Sequence, residues 1–193
     1  MKKWNVAIIG LGFVGKLHYD ALRRLPNVHV RTIVVHKAQD IPLVKENYDA
    51  DVVTDCWQEA VADPQIQVIH NCTPNALHDE INLAVIRAGK HLYAEKPMSL
   101  TTAGAEEVLA AAKAALASFR EAGSGVLILW GYGALCDTLR PLCDQKIYLD
   151  TTPMRAMLRL KRGEYRNIGT KKALAFKRMA RRCYYVDFEV AAK

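Results

Sequence analysis

The sequence of 193 residues lacks any long uninterrupted apolar run. Its longest apolar stretch, GVLILWGYGAL at 125–135, is broken by glycines and is shorter than the roughly 20 residues that cross a bilayer. We therefore expect no membrane span. The apolar residues that follow Lys2 and Lys3 also contain glycines and lack a small-residue cleavage pattern, so they predict a first strand rather than a secretory signal.

The cysteines lack any pattern typical of a metal site or a disulfide framework. Their number is odd, no two form a C-x-x-C pair, and no histidine stands at ligand spacing. We therefore predict free thiols in a reducing cytoplasm and no bound metal. The five cysteines are Cys56, Cys72, Cys136, Cys143 and Cys183.

Charge is distributed unevenly along the chain. Residues 1–150 hold 15 Lys/Arg and 17 Asp/Glu, a net charge of −2, whereas residues 151–193 hold 12 and 3, a net charge of +9. We predict a first domain at 1–123 and an atypical, short, basic C-terminal extension at 124–193. The extension contains one more candidate strand, 125–133, and a candidate basic helix, 171–183. That helix could contact nucleic acid or an anionic membrane, although a solvated helix face is the commoner explanation.

Short β-branched runs alternate with helical patterns through the first 120 residues. This alternation predicts an α/β fold, a Rossmann-type doubly wound parallel sheet. Thr101 or Thr102 can cap the last helix, whose early acids Glu106 and Glu107 suit the positive helix start. The predicted strands are 5–9, 28–35, 51–53, 67–72 and 90–94, and the predicted helices are 13–25, 56–62, 76–88 and 102–120.

A glycine-rich turn, IIGLGFVGKLH, follows the first strand and opens the first helix. Its G-x-G-x-x-G spacing in this context indicates dinucleotide binding. Gly10 allows the tight turn, Gly12 lets backbone N–H groups approach a pyrophosphate, and Gly15 lets helix and strand pack closely. Phe13 and Val14 lie inside the motif and join the predicted cofactor site. A strand-to-helix turn that binds nothing is the alternative.

The second strand ends without the acid that binds an NAD ribose. That acid is expected about 20 residues after the glycine motif, but His36 and Lys37 stand there instead. A cationic pair suits the 2′-phosphate of NADP, so the choice between NAD and NADP leans toward NADP. Asp40 could still reach the ribose, and the alternative is that His36 and Lys37 form only a solvated strand end.

The segments DPQIQVIHNCTPNALH and AGKHLYAEKPMSLT, together with the glycine turn, resemble the nucleotide-binding half of the glucose-fructose oxidoreductase / inositol dehydrogenase (Gfo/Idh/MocA) family. The resemblance covers about residues 4–115. It implies that the T-P-N-x-x-H loop, Thr73, Pro74, Asn75 and His78, lines the dinucleotide site. Pro74 would stiffen this loop, and Asn75 could cap the following helix.

The E-K-P motif is the most telling part of the resemblance. It implies that Glu95 lies near the nicotinamide end of the cofactor and that Lys96 lies near the hydroxyl being oxidised, where we expect it to be partly buried. The compact ammonium group of Lys96 suits hydrogen bonding to an oxygen that gains negative charge. We interpret the remaining histidines, His18, His29, His70 and His91, as structural.

The family's second half is not recognisable in this sequence. In the family an aspartate and a histidine within a G-G-G-x-x-x-D-x-G-x-H segment work with the lysine, but the last histidine of this chain is His91. Whether the chain is an active enzyme therefore stays open. A truncation, a fusion or a shifted reading frame near residues 115–130 would explain both this loss and the change of charge.

Three functions follow from these features. The first is an NAD(P)-dependent oxidoreductase that moves hydride to or from a hydroxyl carbon of a sugar or polyol-like small molecule. The second is a catalytically silent or truncated dinucleotide-binding module. The third, supported only by the basic tail, is a binder of nucleic acid or another anion. The oligomeric state stays open, because the family's second half usually makes the subunit contacts.

Overall fold

The structure, a computed structural model, describes residues 3–123, 127–129 and 139–144. The chain divides into two units, 1–125 and 126–193. Nearly all described residues belong to the first unit; in the second, residues 140–142 form a single 3₁₀ turn. The predicted helix at 171–183 and most of the predicted strand at 125–133 lie outside the described residues.

The first unit alternates strands and helices as the sequence predicts. The strands are β1 (Trp4–Ile9), β2 (Val28–Val34), β3 (Val52–Thr54), β4 (Val68–Asn71) and β5 (His91–Ala94). The helices are α1 (Phe13–Leu22), α2 (Ile41–Asn47), α3 (Trp57–Ala62), α4 (His78–Arg87) and α5 (Thr102–Glu121). The five strands form one parallel sheet in the order β3-β2-β1-β4-β5.

Helices cover both faces of this sheet, because alternate residues of the central strand enter two different cores. Val6 and Ile8 of β1 pack into one cluster, with Tyr19 of α1 and Val44 of α2. Ala7 and Ile9 pack into the other, with partners that come from α3, β4 and α4: Ala60, Ile69, Ile81 and Val85. Each fully buried aliphatic side chain contributes roughly 1.5–3 kcal/mol of transfer free energy. The predicted doubly wound α/β fold is confirmed.

The structure corrects several predicted element boundaries. Helix α1 ends at Leu22 rather than near Pro26, and α4 begins at His78 after a separate 3₁₀ turn over Asn75–Leu77. Helix α2 was not predicted from the sequence, although Pro42 stands in its first turn, where a missing N–H costs nothing.

Helix α5 begins as predicted but with a different electrostatic arrangement. The Thr101 hydroxyl accepts a hydrogen bond of 3.0 Å from the Gly104 N–H, which confirms Thr101 as the cap. Glu106 and Glu107 lie beyond the first turn, so their predicted interaction with the helix start is wrong. Glu107 instead accepts a 3.1 Å hydrogen bond from Arg87 of α4, between two exposed side chains.

Candidate functional site

The strand order places a crevice between the carboxyl ends of β1 and β4. The chain runs from β1 outward to β2 and β3, then returns to the other side of β1 with β4 and β5. Ligands of open α/β sheets bind at such a switch point, with one half of a dinucleotide on each side. The glycine turn, the T-P-N-x-x-H loop and the E-K-P loop all follow strands that end at this edge.

The three glycines of the turn meet different surroundings. Gly10 has a φ of +91°, and a Cβ there would lie 2.7 Å from the carbonyl oxygen of Cys72. A Cβ on Gly15 would overlap the carbonyl oxygen of Gly10. A Cβ on Gly12 would meet nothing within 4 Å. Gly10 and Gly15 therefore allow the chain to fold, whereas Gly12 keeps open a space outside the backbone.

The open space lies at the start of α1. Gly12 is the residue that precedes the helix, and no side chain caps it and no acid stands in the first turn. The first N–H groups of a helix lack partners within the helix and carry a partial positive charge, so they attract an anion. Phe13 is 81% exposed at this point, so its ring contributes to the open surface rather than to the core.

On the β2 side of the glycine turn, the structure has a small cavity of about 90 Å³. His36 lines it at the end of β2, and Thr73 and Pro74 line it from the T-P-N-x-x-H loop. His36 and Lys37 are both exposed, and Asp40 is half-buried. Asp55 and Trp57, which follow β3, also line it and were not predicted from the sequence.

The T-P-N-x-x-H loop is tied to β4 through a buried asparagine. The Thr73 hydroxyl donates a 2.7 Å hydrogen bond to Oδ1 of Asn71. Nδ2 of Asn71 donates to Oδ1 of Asn82 at 2.9 Å, and both asparagines are fully buried. Asn75 does not cap α4 as predicted, because the 3₁₀ turn over 75–77 separates the two. Asn75 remains exposed at the crevice edge.

His78 lies beneath the loops rather than on the crevice surface. Its side chain is fully buried, with Nε2 3.0 Å from the Thr73 carbonyl oxygen and Nδ1 2.6 Å from the Pro97 carbonyl oxygen. Both partners only accept, so both contacts are hydrogen bonds only when the ring carries two hydrogens. His78 thus links the T-P-N-x-x-H loop to the E-K-P loop.

The E-K-P loop leaves β5 with Glu95 turned inward and Lys96 turned outward. The Glu95 N–H donates to the Asn71 carbonyl at 3.1 Å, and Pro97 follows a cis peptide bond. Lys96 is exposed, so the expected partial burial is wrong for the described structure. No described residue forms a hydrogen bond or ion pair with its ammonium group.

Two histidines interpreted as structural lie against this loop. Nε2 of His18 in α1 is 3.0 Å from Oε1 of Glu95, and its Nδ1 is 2.8 Å from Nδ1 of His70 in β4. The His70 ring stacks on Tyr93, with the ring planes 4° apart. Burial, with the nearby His18, lowers the pKa of His70 to about 4.

Cys72 and Tyr93 border the same cluster as uncharged groups. Burial, with a smaller contribution from Glu95, raises the pKa of the Cys72 thiol to about 12. Burial also raises the pKa of Tyr93, with Glu95 and Cys72 adding to the shift. The other two histidines stay structural: His29 bonds Asp51 at 2.9 Å, and His91 packs edge-on against Trp4.

The described part of the chain lacks two other kinds of site. Within residues 3–123, 127–129 and 139–144, no group of three or more His, Cys, Asp or Glu could hold a metal ion. No described helix is both long and apolar enough to span a membrane.

The crevice, the glycine turn and the sheet order define an NAD-binding Rossmann domain, and comparison with known proteins identifies its family. A family model described as "Oxidoreductase family, NAD-binding Rossmann fold" matches residues 4–120. The chain therefore belongs to the Gfo/Idh/MocA oxidoreductase family. A second model, a domain of unknown function (DUF8485), matches residues 98–193, so residues 98–120 belong to both matches.

Curated relatives include sugar and cyclitol dehydrogenases. The chain is 33% identical to levoglucosan dehydrogenase of Pseudarthrobacter phenanthrenivorans, a match covering 52% of this chain and 28% of the relative. It is 35% identical to scyllo-inositol 2-dehydrogenase (NADP(+)) IolW of Bacillus subtilis, covering 56% and 30%. In these matches the chain spans about a third of the relatives' length or less.

Solved structures show the same fold. A levoglucosan dehydrogenase in complex with NADH and L-sorbose matches with a TM-score of 0.54 and 31% identity, over 58% of this chain and 32% of that one. An NAD-binding oxidoreductase from Klebsiella pneumoniae matches with a TM-score of 0.55 and 34% identity, over 58% and 32%.

Proposed function

We propose that the first unit binds NAD or NADP across the crevice, with the pyrophosphate over Gly12 at the start of α1. The observation that carries this proposal is the open space at Gly12, between two glycines that have no room for a side chain. A space kept free of Cβ atoms at a helix start fits a pyrophosphate approached by backbone N–H groups. The NADH and NADP named for the relatives agree with this ligand class.

The adenosine half belongs on the β2 side of the glycine turn. The cavity beside His36 and Trp57 would receive it, and the exposed cation of Lys37 would meet a 2′-phosphate. The nicotinamide half belongs on the β4–β5 side, where Glu95 and Lys96 follow β5. When bound, the cofactor supplies the hydride chemistry, and the chain supplies binding and orientation.

Titration of the purified chain with NADH and NADPH tests this assignment. Gly12 has ordinary extended backbone angles, φ −71° and ψ −164°, so Gly12→Ala should fold normally yet place a methyl group in the pyrophosphate space. We expect Gly12→Ala to weaken both nucleotides at least about tenfold while its urea unfolding curve stays unchanged. Wild-type protein that binds neither nucleotide at sub-millimolar concentration would refute the proposal.

Lys37→Ala tests the preference for NADP. It should weaken NADPH more than NADH, because only NADPH carries the 2′-phosphate. Lys45→Ala is the matched control, since Lys45 is an exposed lysine on α2 that does not line the cavity. If Lys37→Ala weakened NADPH and NADH binding equally, His36 and Lys37 would be a solvated strand end that does not contact a 2′-phosphate.

For the whole protein we propose oxidoreductase chemistry on a sugar, cyclitol or related hydroxyl compound, with Lys96 as the catalytic residue that hydrogen-bonds the reacting oxygen. The support is the family membership and the named activities of the relatives. We place the protein in the cytoplasm, supported by free Cys56, Cys72 and Cys143. A turnover screen on polyols and sugars with either nucleotide tests the activity.

A silent dinucleotide-binding module is the second candidate. It is favoured by one observation: Lys96 is exposed and has no carboxylate or imidazole partner among the described residues. Tight nucleotide binding without turnover in the same screen would select this candidate. Binding of nucleic acid by residues 151–193 stays a prediction, because those residues lie outside the described ones.

A further inference from the structure

Three elements of the first unit meet at the His18 side chain. His18 comes from α1, His70 from β4 and Glu95 from the end of β5. The two ring nitrogens of His18 face opposite partners, Oε1 of Glu95 at 3.0 Å and Nδ1 of His70 at 2.8 Å. The His18 side chain is 14% exposed and that of Glu95 is 23% exposed, so the bond between them is largely shielded from water.

The chemistry of the partners decides which atom donates. An ionised carboxylate only accepts, so Nε2 of His18 must carry the hydrogen in the bond to Glu95. The contact between the two Nδ1 atoms needs a hydrogen on one of them and a lone pair on the other. His70 can take either part as a neutral ring, with its hydrogen on Nδ1 or on Nε2.

The other groups around the His18–Glu95 pair are uncharged. Among the described residues, four titratable groups contact His18: His70 in β4, Cys72 just after β4, Tyr93 in β5 and Glu95 just after β5. The lowered pKa of His70 keeps that ring neutral at physiological pH. The raised pKa values of Cys72 and Tyr93 keep both groups protonated. The cluster thus contains no competing anion for His18.

We propose that His18 is a positioning residue that holds the Glu95 carboxylate through Nε2–H. This bond connects α1, the helix that follows the glycine turn, to the E-K-P loop. The helix whose first turn meets the pyrophosphate then also fixes the acid on the nicotinamide side of the crevice. Lys96 follows Glu95 directly, so the same bond restrains the start of its backbone. This inference rests on the proposed nucleotide binding only for the orientation of the ligand.

Replacing His18 by glutamine or by asparagine distinguishes this positioning role from general packing. The side-chain amide of glutamine reaches about as far as Nε2 of histidine, whereas that of asparagine reaches only about as far as Nδ1. His18→Gln therefore keeps a donor for Glu95, His18→Asn keeps one only toward His70, and His18→Leu keeps neither. The affinity of each variant is measured for NADH and for ADP-ribose, which lacks the nicotinamide and so serves as the control ligand.

We expect His18→Asn and His18→Leu to weaken NADH binding up to about tenfold, because a Glu95 side chain that is no longer held must be ordered when the nicotinamide binds, with ADP-ribose affinity unchanged. His18→Gln should retain wild-type affinity for both ligands. Equal NADH affinities for the Gln and Asn variants would overturn the proposal. Equal loss of NADH and ADP-ribose affinity would also overturn it, because it would indicate a general disturbance of α1.

Imidazole NMR of the nucleotide-free full chain tests the bond independently of nucleotide binding. Long-range ¹H–¹⁵N spectra should show a hydrogen on Nε2 of His18, and Glu95→Ala should shift that nitrogen while leaving the His29 signals unchanged. A bare Nε2 on His18 would overturn the proposal even if NADH binds well. Wild-type protein that binds no nucleotide but shows the protonated, Glu95-dependent Nε2 would refute the proposed function and leave the His18–Glu95 bond supported.

Discussion

The two sides of the crevice are held in shape by different means. On the β1 side, Gly10 and Gly15 let backbone atoms approach so closely that no side chain fits. On the β4 and β5 side, buried polar side chains hold the loops: Asn71 binds Thr73, and His78 bridges the Thr73 and Pro97 carbonyls. The β1 side keeps its shape because glycines lack side chains, and the other side keeps its shape through hydrogen bonds. Different kinds of substitution should therefore disrupt the two sides.

The contrast has a physical basis in what each side must present. A pyrophosphate needs bare backbone N–H groups, and any side chain in front of them would block the anion. The E-K-P side presents side chains, and these need supports that fix their direction. Overpacking should therefore damage the glycine side most, whereas lost donors or acceptors should damage the other side.

The largest effect is expected from Gly15→Ala. The added methyl group would overlap the Gly10 carbonyl oxygen, and that oxygen belongs to backbone and cannot rotate away. We expect a loss of about 3 kcal/mol in the free energy of unfolding, measured by urea denaturation. Gly12→Ala is the control on the same turn and should change stability by less than about 0.5 kcal/mol. Similar losses for the two variants would contradict the steric account.

The second largest effect is expected from low pH, which should reduce stability through His70 on the β4 and β5 side. The pKa of His70 is about 4 in the folded chain against 6.5 for the free group, so the unfolded chain binds its proton first as pH falls. Stability should be full above pH 6.5 and should decline toward pH 4, by at most about 3 kcal/mol from this group. His70→Asn should flatten this part of the stability curve. An unchanged slope between pH 4 and 6.5 in the variant would contradict the assignment.

His78→Leu should cost about 2 kcal/mol, because it removes the buried ring that lies within hydrogen-bond distance of both the Thr73 and the Pro97 carbonyl oxygen. Denaturant unfolding gives the stability, and hydrogen exchange of residues 73–77 and 95–99 should increase if the ring links the two loops. His29→Leu is the control, since the His29–Asp51 pair is exposed and should contribute less than about 1 kcal/mol. Protection that persists in both loops would show that His78 does not join them.

The smallest effect concerns the start of α5, just beyond the E-K-P loop. Thr101→Ala removes the acceptor for the Gly104 N–H and should destabilise the chain by about 1 kcal/mol in thermal or urea unfolding. Thr102→Ala is the neighbouring control, because Thr102 lies inside the helix and does not cap it. A larger loss of stability for Thr102→Ala than for Thr101→Ala would show that Thr101 is not the cap.

The β1 side was the more predictable from sequence, because its signals are local. Gly10, Gly12 and Gly15 lie within six positions after a recognisable strand, and each needs only its near neighbours to act. The five strands follow in the same way from short β-branched runs. Helix α2 was missed because its seven residues are too short for a periodic pattern, which left Pro42 as its main signal.

The supports of the other side could not be found from periodicity alone. His18 and Glu95 are 77 positions apart, and only the order of strands in the sheet brings them together. One signal was available for the pair His78 and Asn82: two polar residues four positions apart share a face of α4, and that face is buried. Buried polar groups need partners, so this spacing predicts a network even when its members cannot be named.

Trp57 places a fluorescent side chain at the crevice. Its indole lines the cavity beside His36, while its other side packs against the core cluster of β1 and α4. A nucleotide that enters on the β2 side would displace water from this ring, and the emission of the indole overlaps the absorption of a reduced nicotinamide. The wild-type chain should therefore signal NADH binding by energy transfer without any attached dye, and Trp57→Phe should weaken that signal.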